Sequence, residues 1–272
     1  MEGIVRLMML LDRIVEEKRK EVALASRSRP LSLLEKEVVR APSVRRFVSQ
    51  SPTISGHPRI IAEMKRKSPS RGLIRDPYDP ENLAEKYRKG GASALSILTD
   101  GPFFGGELGD LSRVRKTPAG EALPLLRKDF ILDPYQVWES RCAGADILLL
   151  IVRILTQEEL RNLLALTTDL SMTALVETHT ENEVERALEA GSRLIGVNHR
   201  DLDTLTIDLD RGARLARMIP GNVDRVAESG LKTKADFRRM GDLGFSAVLV
   251  GESFLASPDP QKALEEFRGA LD

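Results

Sequence analysis

From residue 60 onward, short apolar runs alternate with segments whose apolar positions recur at helical spacing, the pattern of βα units around a parallel sheet. Four glycines punctuate it. Gly91, Gly144, Gly191 and Gly244 each stand two or three residues before an apolar run, where a helix-ending glycine belongs, and they are 53, 47 and 53 residues apart. A βα unit takes roughly 25 residues, so each interval holds two and the whole pattern holds eight, which predicts a (β/α)8 TIM barrel. The strands fall at about 60–65, 94–98, 124–128, 146–151, 173–177, 194–198, 224–228 and 246–250. Asp79-Pro80 and Asp133-Pro134 each supply a helix N-cap followed by proline at the first helical position. An open flavodoxin-like sheet would need fewer strands and a phosphate or nucleotide loop after the first, and neither is seen.

About the first 50 residues lie outside this repeat, so the expectation is a single barrel domain over 1–272 whose segment 1–50 is a helical extension. One charged amphipathic helix is predicted at about 4–24. A second, at about 32–40, is expected to open on a Ser32-Leu33-Leu34-Glu35 capping box. The link from Ser49 to Pro58 is rich in Ser, Pro, Thr and Gly. Helices tethered just before the first strand can close the barrel floor or cover its mouth, and the pattern does not choose between them.

Charge removes several classes of function. Lys plus Arg and Asp plus Glu both number 41, so no net field argues for nucleic acid, and any anion site must be local. The single cysteine, Cys142, excludes an intramolecular disulfide and fits a reducing cytoplasm. The apolar stretch Leu7–Leu11 is too short for a signal segment or a membrane span. His57, His179 and His199 have no paired-ligand spacing, and no GxGxxG or Walker loop occurs, so neither a metal nor a nucleotide is expected. A monomer is expected, with a homodimer as the alternative.

The candidate chemistry lies at the strand ends, where a (β/α)8 barrel keeps its active site. Ile61, Glu63 and Lys65 alternate along the first strand and therefore share a face. Lys128 ends the third strand, Glu177 the fifth, Asn198 the sixth with Arg200 two residues on, and Glu228 and Ser229 the seventh. Ser229-Gly230 and Gly251-Glu252-Ser253 follow the last two strands, where barrels bind phosphate through backbone N–H groups. Gly230 and Gly251 are each expected to reject a larger residue, by crowding that phosphate and by any demand for positive φ. Cations at Lys65, Lys128 and Arg200 beside carboxylates at Glu63, Glu177 and Glu228 suit a doubly anionic substrate and general acid–base chemistry. A buried lysine near other cations has a depressed pKa, so the cluster is expected to tune one lysine into an acid near neutrality. Phe104, Pro69, Leu149, Ile151 and Leu202 could form an apolar slot for a flat ring. Core packing is the competing reading for Leu149 and Ile151.

The chain resembles the indole-3-glycerol phosphate synthases over nearly its whole length. The motifs that carry the likeness are Ile61-Ala62-Glu63-Met64-Lys65-Arg66-Lys67-Ser68-Pro69-Ser70, Leu126-Arg127-Lys128-Asp129-Phe130, Leu175-Val176-Glu177, Gly196-Val197-Asn198-His199-Arg200, Glu228-Ser229-Gly230 and Val250-Gly251-Glu252-Ser253. The resemblance implies conversion of 1-(2-carboxyphenylamino)-1-deoxyribulose 5-phosphate to indole-3-glycerol phosphate, with loss of carbon dioxide and water and without a cofactor. It implies that Lys128 protonates the ribulose carbonyl oxygen and that Glu177 is the matching base or a stabiliser of positive charge. Glu63 and Lys65 would assist proton transfers in dehydration. Asn198, Arg200 and Lys65 would orient substrate, with Ser68, Ser229, Gly230, Gly251 and Glu252 around its anionic end. Members often carry Gly-Ser where this chain has Gly106-Glu107, and a second Asn in place of His199. His199 points away from Asn198 and Arg200 by parity, which favours packing. The rival readings are a phosphoribosylanthranilate isomerase-like barrel, which would need a cysteine near the end of the first strand, and a non-catalytic phosphate-binding barrel.

Overall fold

The computed structural model describes residues 2–47, 57–201 and 206–269, with side chains from residue 10 onward. Eight parallel strands close into a barrel: β1 (Arg59–Met64), β2 (Ala94–Leu98), β3 (Leu125–Lys128), β4 (Ile147–Ile151), β5 (Thr173–Thr178), β6 (Leu194–Asn198), β7 (Asp224–Glu228) and β8 (Ala247–Val250). Each pairs with its chain neighbours, and β1 closes on β8 through Ile61 opposite Leu249. The predicted frame holds to within a residue or two at each strand.

The glycine reading holds as well. Gly91 and Gly144 cap the helices Pro80–Gly90 and Pro134–Ala143 in the left-handed region, with φ of 92° and 93°. Asp79 and Asp133 accept hydrogen bonds from Asn82 N and Tyr135 N, so both Asp-Pro starts are caps.

Alternation along the strands builds two apolar layers. Residues facing outward, including Met64, pack beneath the helices. Those facing inward, among them Ile61, Ala94, Leu126, Leu175, Val226 and Leu249, fill the barrel interior. Two residues further along the inward rows, Ser96, Glu63, Lys128, Glu177 and Glu228 replace the apolar side chains. The polar ring thus sits directly on a dry core.

The extension does both of the jobs left open by its pattern. Its first helix, α1, runs over Glu2–Ser28 and its second, α2, over Leu31–Glu37, followed by a 3₁₀ turn Val38–Arg40. At the mouth, Lys18 of α1 reaches Asp100 after β2 (3.1 Å) and Asp129 after β3 (3.0 Å). Alongside the barrel, α2 packs on the helix Pro134–Ala143, where Cys142 Sγ donates to the Leu34 carbonyl at 3.4 Å. At the floor, Arg45 N donates to Asp146 Oδ1 (2.7 Å) and Phe47 joins the interior core from below. The capping box expected at Ser32 is not formed. Pro30 is the N-cap of α2 without a side-chain bond, so Ser32 already lies inside the first turn. Of the Ser49–Pro58 link, residues 49–56 lie outside the described residues, as does Leu202 of the expected apolar slot.

Candidate active site

Barrel closure joins the strand ends that alternation aims inward. Lys128 Nζ donates to Glu177 Oε2 at 2.7 Å and to Glu228 Oε2 at 2.9 Å, bridging three strands. Lys65 Nζ donates to Glu63 Oε1 at 2.5 Å, as the shared face of Ile61, Glu63 and Lys65 requires. Asn198 Nδ2 donates to Glu177 Oε1 at 3.2 Å, while its own Oδ1 accepts from Arg200 N at 3.0 Å. Glu63, Glu177, Asn198 and Glu228 are all buried.

The cluster was expected to hold a lysine whose pKa neighbouring cations depress. Lys128, the lysine buried in it, is surrounded by carboxylates instead. Burial pushes its ammonium down, yet Glu177, Glu228 and Glu63 together outweigh burial and hold the pKa above the ordinary lysine value. The physical reason is stagger: closure places Lys65 against Glu63 on its own strand and leaves Lys128 to face β5 and β7.

The two carboxylates on Lys128 are driven apart. Burial raises Glu177, but Lys128 and His179 overcome it and keep the carboxyl well below its usual range. Burial dominates at Glu228, where the Glu177 charge opposes the help from Lys128, and the pKa is pushed up to about 7. Such a split assigns different protonation states to neighbouring acids. Room for Glu228 comes from Gly196 on β6, since a Cβ there would overlap Glu228 Oε1. That oxygen is buried and has no hydrogen-bond partner among the described residues.

The proposed phosphate turns have unequal geometry. Ser229 and Gly230 both have positive φ, 66° and 81°, and a Cβ on Gly230 would overlap Ile207. Gly251 departs from expectation. Its φ is −133°, so it makes no left-handed demand, and an added Cβ would lie 2.8 Å from Glu63 rather than in an anion's space. A larger residue there would disturb Glu63 first. Glu252 sits between Arg71, 2.8 Å away, and Arg200, 3.9 Å away. Ser68 is buried, its Oγ accepting from Arg71 N at 3.3 Å.

The apolar slot is built differently from its sequence pattern. Leu149 belongs to the interior core one layer below the polar ring, and Pro69 is exposed. Ile151 lies level with Glu177, its register partner. Phe130 and Ile154 pack on the same cluster, and Phe104 stands 6.1 Å from Phe130, ring centre to ring centre. Phe130, not singled out by pattern, follows Lys128 by two residues and was legible from that spacing alone. His199 packs as expected: its Nδ1 faces the Glu228 and Ser229 carbonyls at 2.9 and 3.2 Å, and burial lowers its pKa. Glu107 turns away to Arg113, at 2.7 Å.

His179, which no sequence motif marks, joins the site. Its ring lies between Glu177 and Glu183, with Nε2 3.3 Å from Glu177 Oε1 and Nδ1 3.2 Å from Glu183 Oε2. The signal was available in its position, two residues after Glu177 on the same face.

Comparison with known proteins identifies the family. Residues 11–267 match the family model described as indole-3-glycerol phosphate synthase. An indole-3-glycerol phosphate synthase of Dehalococcoides mccartyi is 44% identical over 259 residues, covering 95% of this chain and 99% of that protein. One from Mycolicibacterium vanbaalenii is 47% identical over 257 residues, covering 94% and 93%. Among solved structures, the 3-hexulose-6-phosphate synthase of Salmonella typhimurium superposes with a TM-score of 0.63 at 13% identity, over 77% of this chain and 96% of that one, a likeness of fold alone.

Proposed function

The chain belongs to the indole-3-glycerol phosphate synthase family, and from that membership we propose how the residues of its mouth divide the work. The activity is that of a carboxy-lyase of tryptophan biosynthesis, forming indole-3-glycerol phosphate from 1-(2-carboxyphenylamino)-1-deoxyribulose 5-phosphate. The reaction needs a proton for a carbonyl oxygen, an anion near a nitrogen that turns positive, and a proton route for the departing water.

Lys128 supplies the first. Its raised pKa keeps the ammonium loaded at neutral pH, and the carbonyl oxygen becomes far more basic as the ring carbon attacks and it turns into an alkoxide. The 2.9 Å contact with Glu228, poised at about 7, supports Glu228 as the group that returns a proton to Lys128. Glu177, held ionised, faces the developing positive charge or takes the ring proton. Glu63 and Lys65, paired at 2.5 Å, stand on the neighbouring side of the mouth and serve the dehydration. Asn198 and Arg200 orient the sugar. Ser68, Ser229, Gly230, Gly251 and Glu252 take the phosphate end, with Arg71 and Arg200 nearby as cations. Phe104, Phe130 and Ile151 border the aromatic end.

The partner in this reading is the small sugar phosphate, and the protein works as a monomer in the cytoplasm, without nucleic acid or membrane. The even charge balance argues against nucleic acid, and among the described residues no helix is long and apolar enough to cross a membrane.

The single observation that carries the assignment of roles is Lys128 held between two carboxylates of opposite protonation tendency. Incubation with the substrate should produce indole absorbance. Lys128→Met should lower kcat by about 10²–10⁴-fold with a much smaller change in KM. A variant keeping more than about a third of wild-type kcat, with chemistry rate-limiting, would remove Lys128 from the role.

A further inference from the structure

We propose that His179 is a positioning residue for the reaction, an imidazolium that bridges the carboxylates of Glu177 and Glu183 and holds Glu177 in place against Lys128. The inference rests on the reading that Glu177 works in the reaction.

The arrangement follows from local structure. Glu177 near the end of β5 and His179 just beyond it meet side by side, and the helix Glu181–Glu189 starts immediately afterwards, capped by Thr180 Oγ1 accepting from Glu183 N at 3.3 Å. Glu183, in the first turn of that helix, folds its carboxylate back so that Oε2 accepts from His179 N at 2.7 Å and faces Nδ1 at 3.2 Å. On the other side of the ring, Nε2 lies 3.3 Å from Glu177 Oε1, within ion-pair reach though off hydrogen-bonding angle. His179 and Glu177 are each 3% exposed and Glu183 is 7% exposed.

Both ring nitrogens therefore face carboxylate oxygens, which only accept. Nδ1 carries a hydrogen toward Glu183, and a second hydrogen on Nε2, which faces the Glu177 carboxylate within ion-pair distance, makes the ring a cation. A neutral tautomer would set a lone pair against a buried carboxylate on one side. Asn198 and His179 approach the same oxygen of Glu177, while Lys128 takes the other. Lys128 and Asn198 are also committed to Glu228 and to Arg200 N. His179 differs from both: it is backed by Glu183, on a helix rather than at the mouth, and so ties the Glu177 carboxylate to the rigid βα unit beneath it.

The charged groups facing the ring are Glu177 from β5 and Glu183 from the following helix. Burial lowers the pKa of the ring, but hydrogen bonding and the charges of Glu177 and Glu183 outweigh it and raise it to about 9. The sign follows directly. The cation, and the geometry it holds, persists through neutrality and is lost as pH rises through about 9.

The test combines kinetics with direct titration. In His179→Ala, kcat should fall by about 10–100-fold, the cost of loosening a reacting group by a fraction of an ångström to an ångström, with KM within about threefold of wild type. His179→Gln restores one side-chain N–H donor and should recover part of the loss. Glu183→Gln, which frees the ring from behind, should also lower kcat, and the fall in wild-type kcat above pH 9 should be absent from His179→Gln. By ¹⁵N NMR of histidine-labelled wild-type protein, one of the three histidines should titrate near 9 rather than near the ordinary 6.5. A role in stability alone would lower the melting temperature and leave kcat of the folded fraction and its pH profile unmoved.

The proposal is overturned by His179→Ala retaining kcat within about twofold of wild type while Glu177→Gln is disabled, or by His179 titrating near 6.5. A fully active Glu177→Gln is a different failure, since it removes the reading on which the proposal stands. Should His179→Ala not fold, His179→Gln, Glu183→Gln and the wild-type titration decide the matter.

Discussion

Replacing Lys18 by methionine tests whether the extension is welded to the mouth. Lys18, a residue only 4% exposed, lies on the same face of α1 as buried Ile14 and places its ammonium between Asp100 and Asp129, with Glu21 accepting at 2.6 Å. Methionine keeps the length and the packing of the stem but removes the charge. The two aspartates then fare differently. Asp129 retains Arg127 at 3.0 Å, Thr99 at 2.6 Å and Phe130 N at 2.8 Å. Asp100 retains only the N–H groups of Phe103 and Phe104, both on Oδ2, and its Oδ1 loses its cation. Breaking a buried pair by removing one partner costs about 3–5 kcal/mol, because a charge is left uncompensated. The satisfied Asp129 argues for the lower end of that range. Urea unfolding should therefore show a loss of about 3 kcal/mol, and a Lys18→Met/Asp100→Asn double variant should recover part of it. Because Asp100 holds the turn that carries Phe104, KM should rise as well. A loss under about 1 kcal/mol with unaltered KM would show that α1 rests on the rim without being fastened to it.

Two further perturbations address the core and the acid pair. Gly196→Ala should displace Glu228 from Lys128, because the new Cβ occupies the place of Glu228 Oε1, and kcat should fall while circular dichroism stays unchanged; full activity with Glu228 still against Lys128 in a crystal structure would refute the tight fit. Phe47→Ala should cost about 3–5 kcal/mol in denaturant unfolding, since it removes an aromatic ring from the barrel floor, and a loss near that of an exposed residue would place Phe47 outside the core.

Much of this architecture is legible in the chain because it depends on neighbours in sequence. Gly91 and Gly144 end their helices by conformational freedom alone, and Asp79 and Asp133 cap theirs within a few residues. The inward parity of Glu63, Lys128, Glu177 and Glu228 also follows from simple alternation. What alternation cannot supply is the partner across the ring. Lys128 and Glu228 are 100 residues apart, and only the stagger of the closed barrel decides that this lysine meets two carboxylates and no cation. The same limit hid Gly251, whose neighbour is the side chain of Glu63 on the strand that closes the barrel. Ser32 failed for a local reason, since Pro30 starts the helix earlier than the capping pattern suggests. His179 and Glu183 are four residues apart, and their pairing needed only the strand-to-helix turn between them to be recognised.

The path of the extension from rim to floor also sets a schedule for biogenesis. Arg45 leaves the ribosome 101 residues before Asp146, its partner at the floor, and Lys18 precedes Asp129 by slightly more. At about 5–20 residues per second, the first helices wait about 5–20 s for the strands that receive them. During that interval Ile14, Leu34 and Phe47, all buried in the finished barrel, lack the partners contributed by the later strands. The segment that later seals both ends of the molecule is therefore exposed to nascent-chain chaperones until its partners Asp100, Asp129 and Asp146 have been made.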